Sequence, residues 1–237
     1  MSFSFKQFHI DDTNCAMKVG TDAVILGAWS NITHSRHILD VGAGSGVISL
    51  IIASRMPNDF NIIAVEKDEG AVHDCLQNFL QSPWSIKLKV INSDFADLDG
   101  QYDMIISNPP FFCGSLSSNT KKRTMARQGD TLNYFSLLDY AASHLTEDGN
   151  LTFISDIRYE KEILFSATVK GFILVRQCQV YPKKDRPASR IIWEFHRVKH
   201  ERKDIEIQRE VIYIKNADGS WHDDYIKLTK NLYMKEL

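Results

Sequence analysis

Asn108-Pro109-Pro110-Phe111 follows the apolar run Tyr102-Asp103-Met104-Ile105-Ile106-Ser107 and sets oxygen acceptors beside an aromatic plate. Two consecutive prolines donate no backbone N–H and fix their own φ, so the carbonyls of this turn are held stiffly and can face a ligand. Asn108 adds an amide oxygen, and Phe111 adds a ring on which a flat group can stack. Together they suit a planar amine. The bare tetrapeptide also makes an ordinary turn after a strand, so its chemistry depends on what shares its end of the sheet.

Upstream, Val41-Gly42-Ala43-Gly44-Ser45-Gly46 lies between an expected strand and an expected helix. Glycines there let the backbone pass close to a ligand, and the helix N-terminus favours negative charge. A dinucleotide fingerprint would want its third glycine at Val47, so the Gly-x-Gly-x-Gly spacing disfavours NAD. Glu66 ends the next strand, where a carboxylate can accept hydrogen bonds from both ribose hydroxyls of a nucleoside lying over the glycine turn; a solvated strand-end acid is the plainer alternative. Asp94 ends a third strand and can accept from an adenine amino group, with Phe95 beside the ring. Gly42, Gly44, Gly46, Glu66, Asp94 and Asn108 thus fall at the carboxyl ends of four successive strands, the rim where open α/β sheets bind ligands.

The elements that must position these residues follow from periodicity. His37 to Val41, Asn61 to Glu66, Lys87 to Ile91, Tyr102 to Ser107 and Asn150 to Ile154 read as strands, the last after the turn signal Glu147-Asp148-Gly149. Val47 to Arg55, Glu69 to Phe79 and Tyr134 to His144 read as the helices between them, which predicts a parallel sheet covered on both faces. Phe172 to Tyr181 and Arg190 to Val198 read as two long strands whose short connection forces antiparallel pairing, so a hairpin closes the sheet. Glu206 to Ile214 is a further extended segment, and Asp223 to Met234 a terminal helix. Ahead of the core, Phe3, Phe5 and Phe8 indicate an extended start, and Thr21 or Asp22 caps a helix through Trp29.

The 237 residues, 43% hydrophobic and 24% charged, suit one large soluble domain: a cap over 1–36, a core over 37–200 and an extension over 201–237. Ala23 to Trp29 is too short to span a bilayer, and no charged leader precedes it, so a cytoplasmic protein is expected. Cys15, Cys75, Cys113 and Cys178 form no Cys-x-x-Cys pair and read as free thiols, and His9, His34 and His73 lack metal-ligand spacing. No metal is expected. A net charge of -2 argues against indiscriminate nucleic-acid binding, so any RNA contact must be local.

The glycine turn, the two acids and the Asn-Pro-Pro-Phe turn resemble the ordered motifs of class I S-adenosylmethionine-dependent methyltransferases that act on planar nitrogens. Phe5-Lys6-Gln7-Phe8, Cys15-Ala16-Met17-Lys18-Val19-Gly20-Thr21-Asp22, Leu26-Gly27-Ala28-Trp29 and Gln81-Ser82-Pro83-Trp84 resemble, more closely, the bacterial tRNA1(Val) adenine-N6 methyltransferases. The resemblance is dense through Phe111 and thins over the final third. It implies a Rossmann-like α/β fold with a seven-stranded, mostly parallel sheet ending in an antiparallel carboxyl-terminal hairpin. It also implies S-adenosyl-L-methionine as methyl donor, S-adenosyl-L-homocysteine as product, tRNA as partner without an obligate protein partner, and adenine 37 as target. Where relatives often place two tyrosines after the prolines, this chain has Phe111 and Phe112, which keeps stacking and removes a hydroxyl.

By the same resemblance, Asn108, Pro109 and Phe111 are catalytic: the Asn108 oxygen and the Pro109 carbonyl accept the two hydrogens of the adenine amine, and Phe111 stacks on the extruded base. Lys18 or Thr21 would touch the donor's carboxylate end, with capping of the following helix as the equal alternative for Thr21. Phe112, Lys121, Lys122, Arg123 and Arg127 are candidate RNA contacts in a Ser/Asn/Thr-rich loop, and Lys183, Lys184, Arg186 and Arg190 form a second basic set; either can instead be a solvated face. Rival readings are a protein glutamine N5-methyltransferase, an rRNA base methyltransferase, and a noncatalytic S-adenosylmethionine- or RNA-binding module.

Overall fold

The computed structural model describes residues 2–57, 59–110, 132–197 and 206–234. Strands β1 (Ser2–Ser4) and β2 (His9–Asp11) form an antiparallel hairpin, and helix α1 (Thr21–Trp29) follows. The core then alternates: β3 (His37–Val41), α2 (Val47–Ala53), β4 (Asn61–Glu66), α3 (Glu69–Leu80), β5 (Leu88–Asn92), β6 (Tyr102–Ser107), α4 (Tyr134–His144), β7 (Leu145–Asp156), α5 (Glu160–Val169) and β8 (Phe172–Tyr181). Strands β9 (Arg190–Arg197) and β10 (Gln208–Tyr213) and helix α6 (Asp223–Thr229) complete it.

The main sheet has the order β10-β8-β9-β7-β6-β3-β4-β5, and β9 alone runs against its neighbours. Among the described residues it therefore contains eight strands. Seven were expected from the resemblance; the eighth is β10, the late extended segment, which pairs in parallel with β8 from Gln208 opposite Arg176 to Tyr213 opposite Tyr181. The expected hairpin is present as β8 and β9, with β9 inserted between β7 and β8.

Both faces are covered, as near-continuous apolar strands require. Ile38, Met104 and Ile106 point to a core with α1, α2 and α3, whereas Leu39, Val41 and Ile105 point to a second core with α4 and α5. The two-residue period of the strands sorts the side chains between these layers.

Three local expectations change. The Glu147-Asp148-Gly149 signal does not precede β7 but lies within it: pairing jumps from Tyr102–Leu145 to Met104–Asn150, and Asp148 takes φ 66° in the excursion. Helix α1 has Gly20 at its N-cap position, which carries no side chain to cap it; Thr21 and Asp22 lie inside the first turn, and the Asp22 carboxylate accepts from Arg190 Nε at 3.2 Å. The terminal helix stops at Thr229, whose hydroxyl donates to the Tyr225 carbonyl at 2.7 Å.

Two side-chain locks set the heights of the site-bearing turns. Asp40 on β3 is fully buried, and its Oδ2 accepts from the Ser49 backbone N–H at 3.1 Å and the Ser49 hydroxyl at 2.7 Å, tying the strand to α2 across the glycine turn. Ser107 donates its hydroxyl to the Val41 carbonyl at 2.7 Å, holding the end of β6 against the end of β3.

Burial pushes the Asp40 carboxyl up to about 7, against the two Ser49 hydrogen bonds that favour its charged form. The unfolded chain then releases this proton first, so Asp40 lowers stability progressively from about pH 4 to about pH 7 and by a constant amount above that. Relative to the unaltered chain, Asp40→Asn is expected to gain stability across that window, on the order of a few kcal/mol by pH 8. Urea unfolding at pH 5 and pH 8 checks this; equal differences at the two pH values would contradict it.

Candidate active site

The glycine turn is the floor of a cavity of about 570 Å³ whose walls include Cys15 to Ala23, Glu66 to Asp68, Asn108 and Pro110. Gly42 and Ala43 both donate their N–H to the Val65 carbonyl, at 2.9 and 3.2 Å, so the turn is fastened to β4. Gly46 precedes α2 at φ 79°, and a Cβ there would meet Phe79 at 2.6 Å and the Cys75 sulfur at 2.7 Å. Gly44, at φ 54°, faces no atom within 4 Å of such a Cβ. Of these two, Gly46 is demanded by packing of α3, and Gly44 leaves room beside Glu66 for a ligand.

Glu66 is aimed by backbone donors. Its Oε2 accepts from the Gly44 N–H at 3.0 Å, and its Oε1 from Lys67 and Asp68 N–H at 2.8 and 3.0 Å. These three bonds leave about one of the four carboxylate lone-pair sites open, on a residue that lines the cavity, and it can accept from a ribose hydroxyl. Asp94 is placed differently from the expectation and is not among the residues lining the cavity. Its Oδ2 takes the Lys67 ammonium at 2.5 Å and its Oδ1 the Ala96 N–H. Partial burial raises its pKa, but Lys67 and that N–H outweigh it and leave the carboxyl below its ordinary value.

Lys18 lines the cavity, yet its ammonium donates to the carbonyls of Asp12, Thr13 and Cys15 at 2.6, 3.1 and 3.0 Å. In this structure it braces the segment over the site. Thr21 and Asp22 line the same wall from the first turn of α1.

At the end of β6, Asn108 and Pro110 reach the cavity while Pro109 is buried behind them. The Asn108 Oδ1 is buried and has no hydrogen-bond partner among the described residues. A buried carbonyl oxygen left unpaired costs about 1 to 3 kcal/mol, so the site is incomplete without a donor. Phe111, Phe112, Lys121, Lys122, Arg123 and Arg127 lie outside the described residues.

Asp74 and Asn78 were missed by the sequence reading. Both are buried on α3, where Asp74 accepts from the Asn14 N–H and Nδ2 at 2.7 Å each and from the Cys15 N–H at 3.2 Å. The Asn78 Nδ2 donates to the carbonyls of Asp11 at 2.8 Å and Ser45 at 2.9 Å, joining β2 to the glycine turn. The readable signal was two polar residues four apart, on the same helix stripe as Cys75 and Phe79. Cys15, Cys75 and Cys178 are free and buried; burial pushes the Cys15 thiol up to about 12, with the adjacent Asp74 adding to the shift. Among the described residues no group of His, Cys, Asp and Glu is placed to hold a metal, and no helix is long and apolar enough to cross a membrane.

The methyltransferase small domain model matches residues 17–181. A Tolumonas auensis protein named tRNA1(Val) (adenine(37)-N6)-methyltransferase is 34% identical over 99% of this chain and 97% of its own. Among solved structures, an Agrobacterium tumefaciens protein described as a predicted O-methyltransferase aligns with a TM-score of 0.65 at 17% identity, covering 89% of this chain and 96% of that one. A Brevibacillus brevis O-methyltransferase in complex with S-adenosyl-L-homocysteine aligns at 0.54 and 15% identity, covering 75% and 72%. The structural neighbours share the fold, and the full-length relative narrows it: this chain belongs to the methyltransferase small domain family and, within it, to the tRNA1(Val) (adenine(37)-N6)-methyltransferases.

Proposed function

We propose that this protein methylates N6 of adenine 37 in tRNA1(Val), with S-adenosylmethionine bound over the glycine turn as methyl donor. The observation that carries the reading is the buried Asn108 oxygen, without a hydrogen-bond partner among the described residues, on a residue that lines the cavity. Glu66 would hold the ribose of the donor, and Gly44, whose missing side chain leaves open space beside it, would let the donor pass close to the turn. When bound the donor supplies an electrophilic methyl group on a positively charged sulfur. Asp94 then acts through Lys67, which itself lines the cavity. Thr21 is the residue of the covering wall assigned to the donor's carboxylate end. We place the protein in the cytoplasm, where its tRNA substrate is made.

The adenine amine is a weak nucleophile because its lone pair is shared with the ring. Asn108 Oδ1 and the Pro109 carbonyl accept its two hydrogens, which favours a pyramidal nitrogen and directs the lone pair toward the methyl carbon. Positive charge grows on that nitrogen during transfer, so these contacts strengthen toward the transition state. The proton leaves afterwards to water, and no dedicated base is needed. Phe111 provides the stacking platform, worth about 1 to 3 kcal/mol for a base on an aromatic ring.

Asn108→Ala is expected to bind S-adenosylmethionine as the unaltered chain does while methyl transfer falls by about two to three orders of magnitude. Calorimetric binding together with radiolabelled methyl transfer to tRNA1(Val) checks it, and near-normal turnover would remove Asn108 from the mechanism. Phe111→Ala should weaken RNA binding and slow turnover together; unchanged kinetics would exclude stacking.

The glycines separate fold from ligand. Both alanine substitutions carry a left-handed backbone strain of about 1 to 2 kcal/mol. Gly46→Ala adds overpacking of about 1 to 3 kcal/mol against Phe79 and Cys75, so it should melt clearly below Gly44→Ala. Gly44→Ala should instead lose donor affinity with the smaller fall in Tm. The reverse pattern in thermal melts and titrations would contradict this division.

A further inference from the structure

The carboxyl-end rim does not stop at the catalytic turn. Ser107 pairs with Phe153, so Asn108 and the end of β7 share one rim; Asp156 pairs with Arg190, the first residue of β9; and Tyr181 and Tyr213 end β8 and β10 side by side. At about 4.8 Å per strand, the edge from Asn108 to the end of β10 is roughly 20 Å long.

Basic side chains occupy that edge in a fixed order. Arg158, directly after β7, has a side chain 74% exposed although Asp156 holds it at three points: the backbone N–H, Nε and Nη2 donate to the carboxylate at 2.9, 2.9 and 2.8 Å. A guanidinium so fixed loses little freedom on meeting a second anion with its remaining donors. Ile157 N–H donates to the Ser189 carbonyl at 3.2 Å, which fastens this turn to the β8–β9 connection carrying Lys184 and Arg186. Lys184 N–H in turn donates to the Lys215 carbonyl at 2.9 Å, just past β10. Lys215 is held over the Trp221 ring at 4.8 Å.

The nearby acids are committed. Asp156 serves Arg158 and Arg190, Asp22 serves Arg190, Asp185 lies 3.9 Å from Lys183, and Asp218, which also feels Lys183, accepts from the Ser220 N–H and hydroxyl at 2.9 and 2.7 Å. Lys184, Arg186 and Lys215 have no ion-pair partner among the described residues, so this end of the rim is positive on a chain whose net charge is -2. Concentrating cations along one edge of an otherwise acidic protein, in line with the base-binding turn, suits a row of phosphates on a flexible strand.

We propose that Arg158, Lys184, Arg186 and Lys215 form a phosphate track that grips the tRNA backbone beside the flipped nucleotide. Asp156 acts as the positioning residue for Arg158. The proposal rests on the tRNA-methylating function above and adds to it the surface that holds the substrate. The track is a binding element, so its loss acts on KM for tRNA and leaves the chemical step intact.

The test uses the full chain and a tRNA1(Val) transcript. Binding is measured across a salt series for the unaltered protein, for Lys184→Ala with Arg186→Ala, for Arg158→Gln, and for Arg36→Gln on the opposite rim of the sheet. The double variant is expected to weaken tRNA binding on the order of ten-fold and to flatten the slope of log affinity against log salt by between one and two. Arg158→Gln should show a smaller loss of the same kind. In both, KM for tRNA rises, kcat at saturating tRNA is retained and S-adenosylmethionine affinity is unchanged, while Arg36→Gln leaves all of these alone. Unaltered tRNA affinity and salt slope in the track variants, or an equal loss in Arg36→Gln, would overturn the track alone, provided the unaltered protein methylates the transcript. Failure of the unaltered protein to methylate any tRNA would overturn the underlying function as well.

Discussion

Parallel strands joined through helices must all release their carboxyl ends on one side, and the site depends on that constraint. Val41 pairs with Val65 on one side and Ser107 on the other, so β3, β4 and β6 end within a residue of a common level. The chain leaves β3 toward β4 on one flank and, after β5, crosses back to place β6 on the other, so the strand order reverses beside β3 and opens a crevice there. The glycine turn and Asn108 sit on the two lips of that crevice. Ser107 holds its width through one hydrogen bond to the Val41 carbonyl, which makes a small hydroxyl on β6 as important to the geometry as the residues that touch a ligand.

The other half of the cavity is assembled from pieces outside the sheet, and polar side chains hold it. Asp74 and Asn78 reach up from α3 to fix the segment at residues 11–15, and Lys18 folds back to brace it. Helix α1 is fixed from behind. The Arg176 guanidinium lies 3.9 Å from the centre of the Trp29 ring and pairs with the buried Glu194 at 2.9 Å and with Glu210 at 3.0 Å. Glu210 also accepts from the Trp29 indole N–H at 3.0 Å, so the added strand β10 is coupled to the helix that lines the site.

The sheet was legible because its strands are buried on both faces and read as apolar runs bounded by turn residues, from His37–Val41 to Phe172–Tyr181. The glycine turn and Asn108 were legible because their residue types leave few alternatives once placed at strand ends. What stayed hidden depends on partners that residue type and spacing do not single out. Asp94 pairs with Lys67, Lys18 pairs with carbonyls of its own segment, and Asp22 answers Arg190 instead of capping its helix. The eighth strand was hidden for a related reason: a short β-prone segment carries no mark of whether it joins a sheet, and Gln208–Tyr213 does so only because β8 offers an open edge. A turn signal can also be satisfied by a bulge, as Asp148 shows within β7.

The amino-terminal hairpin that leads into the cavity wall is itself clasped by the far end of the chain. Phe5 bridges to Tyr233 and stacks on its ring at 5.7 Å, Lys6 N–H donates to the Leu232 carbonyl at 2.7 Å, and the Lys6 ammonium donates to the Lys230 carbonyl at 2.7 Å. Residues 5 and 6 are thus anchored by residues more than two hundred positions later. During synthesis the glycine turn and its strands are in hand long before residues 230–233 leave the ribosome. The hairpin ahead of the cavity wall consequently sets later than the floor of the site, and a nascent chain stalled short of that point carries the floor without this clasp.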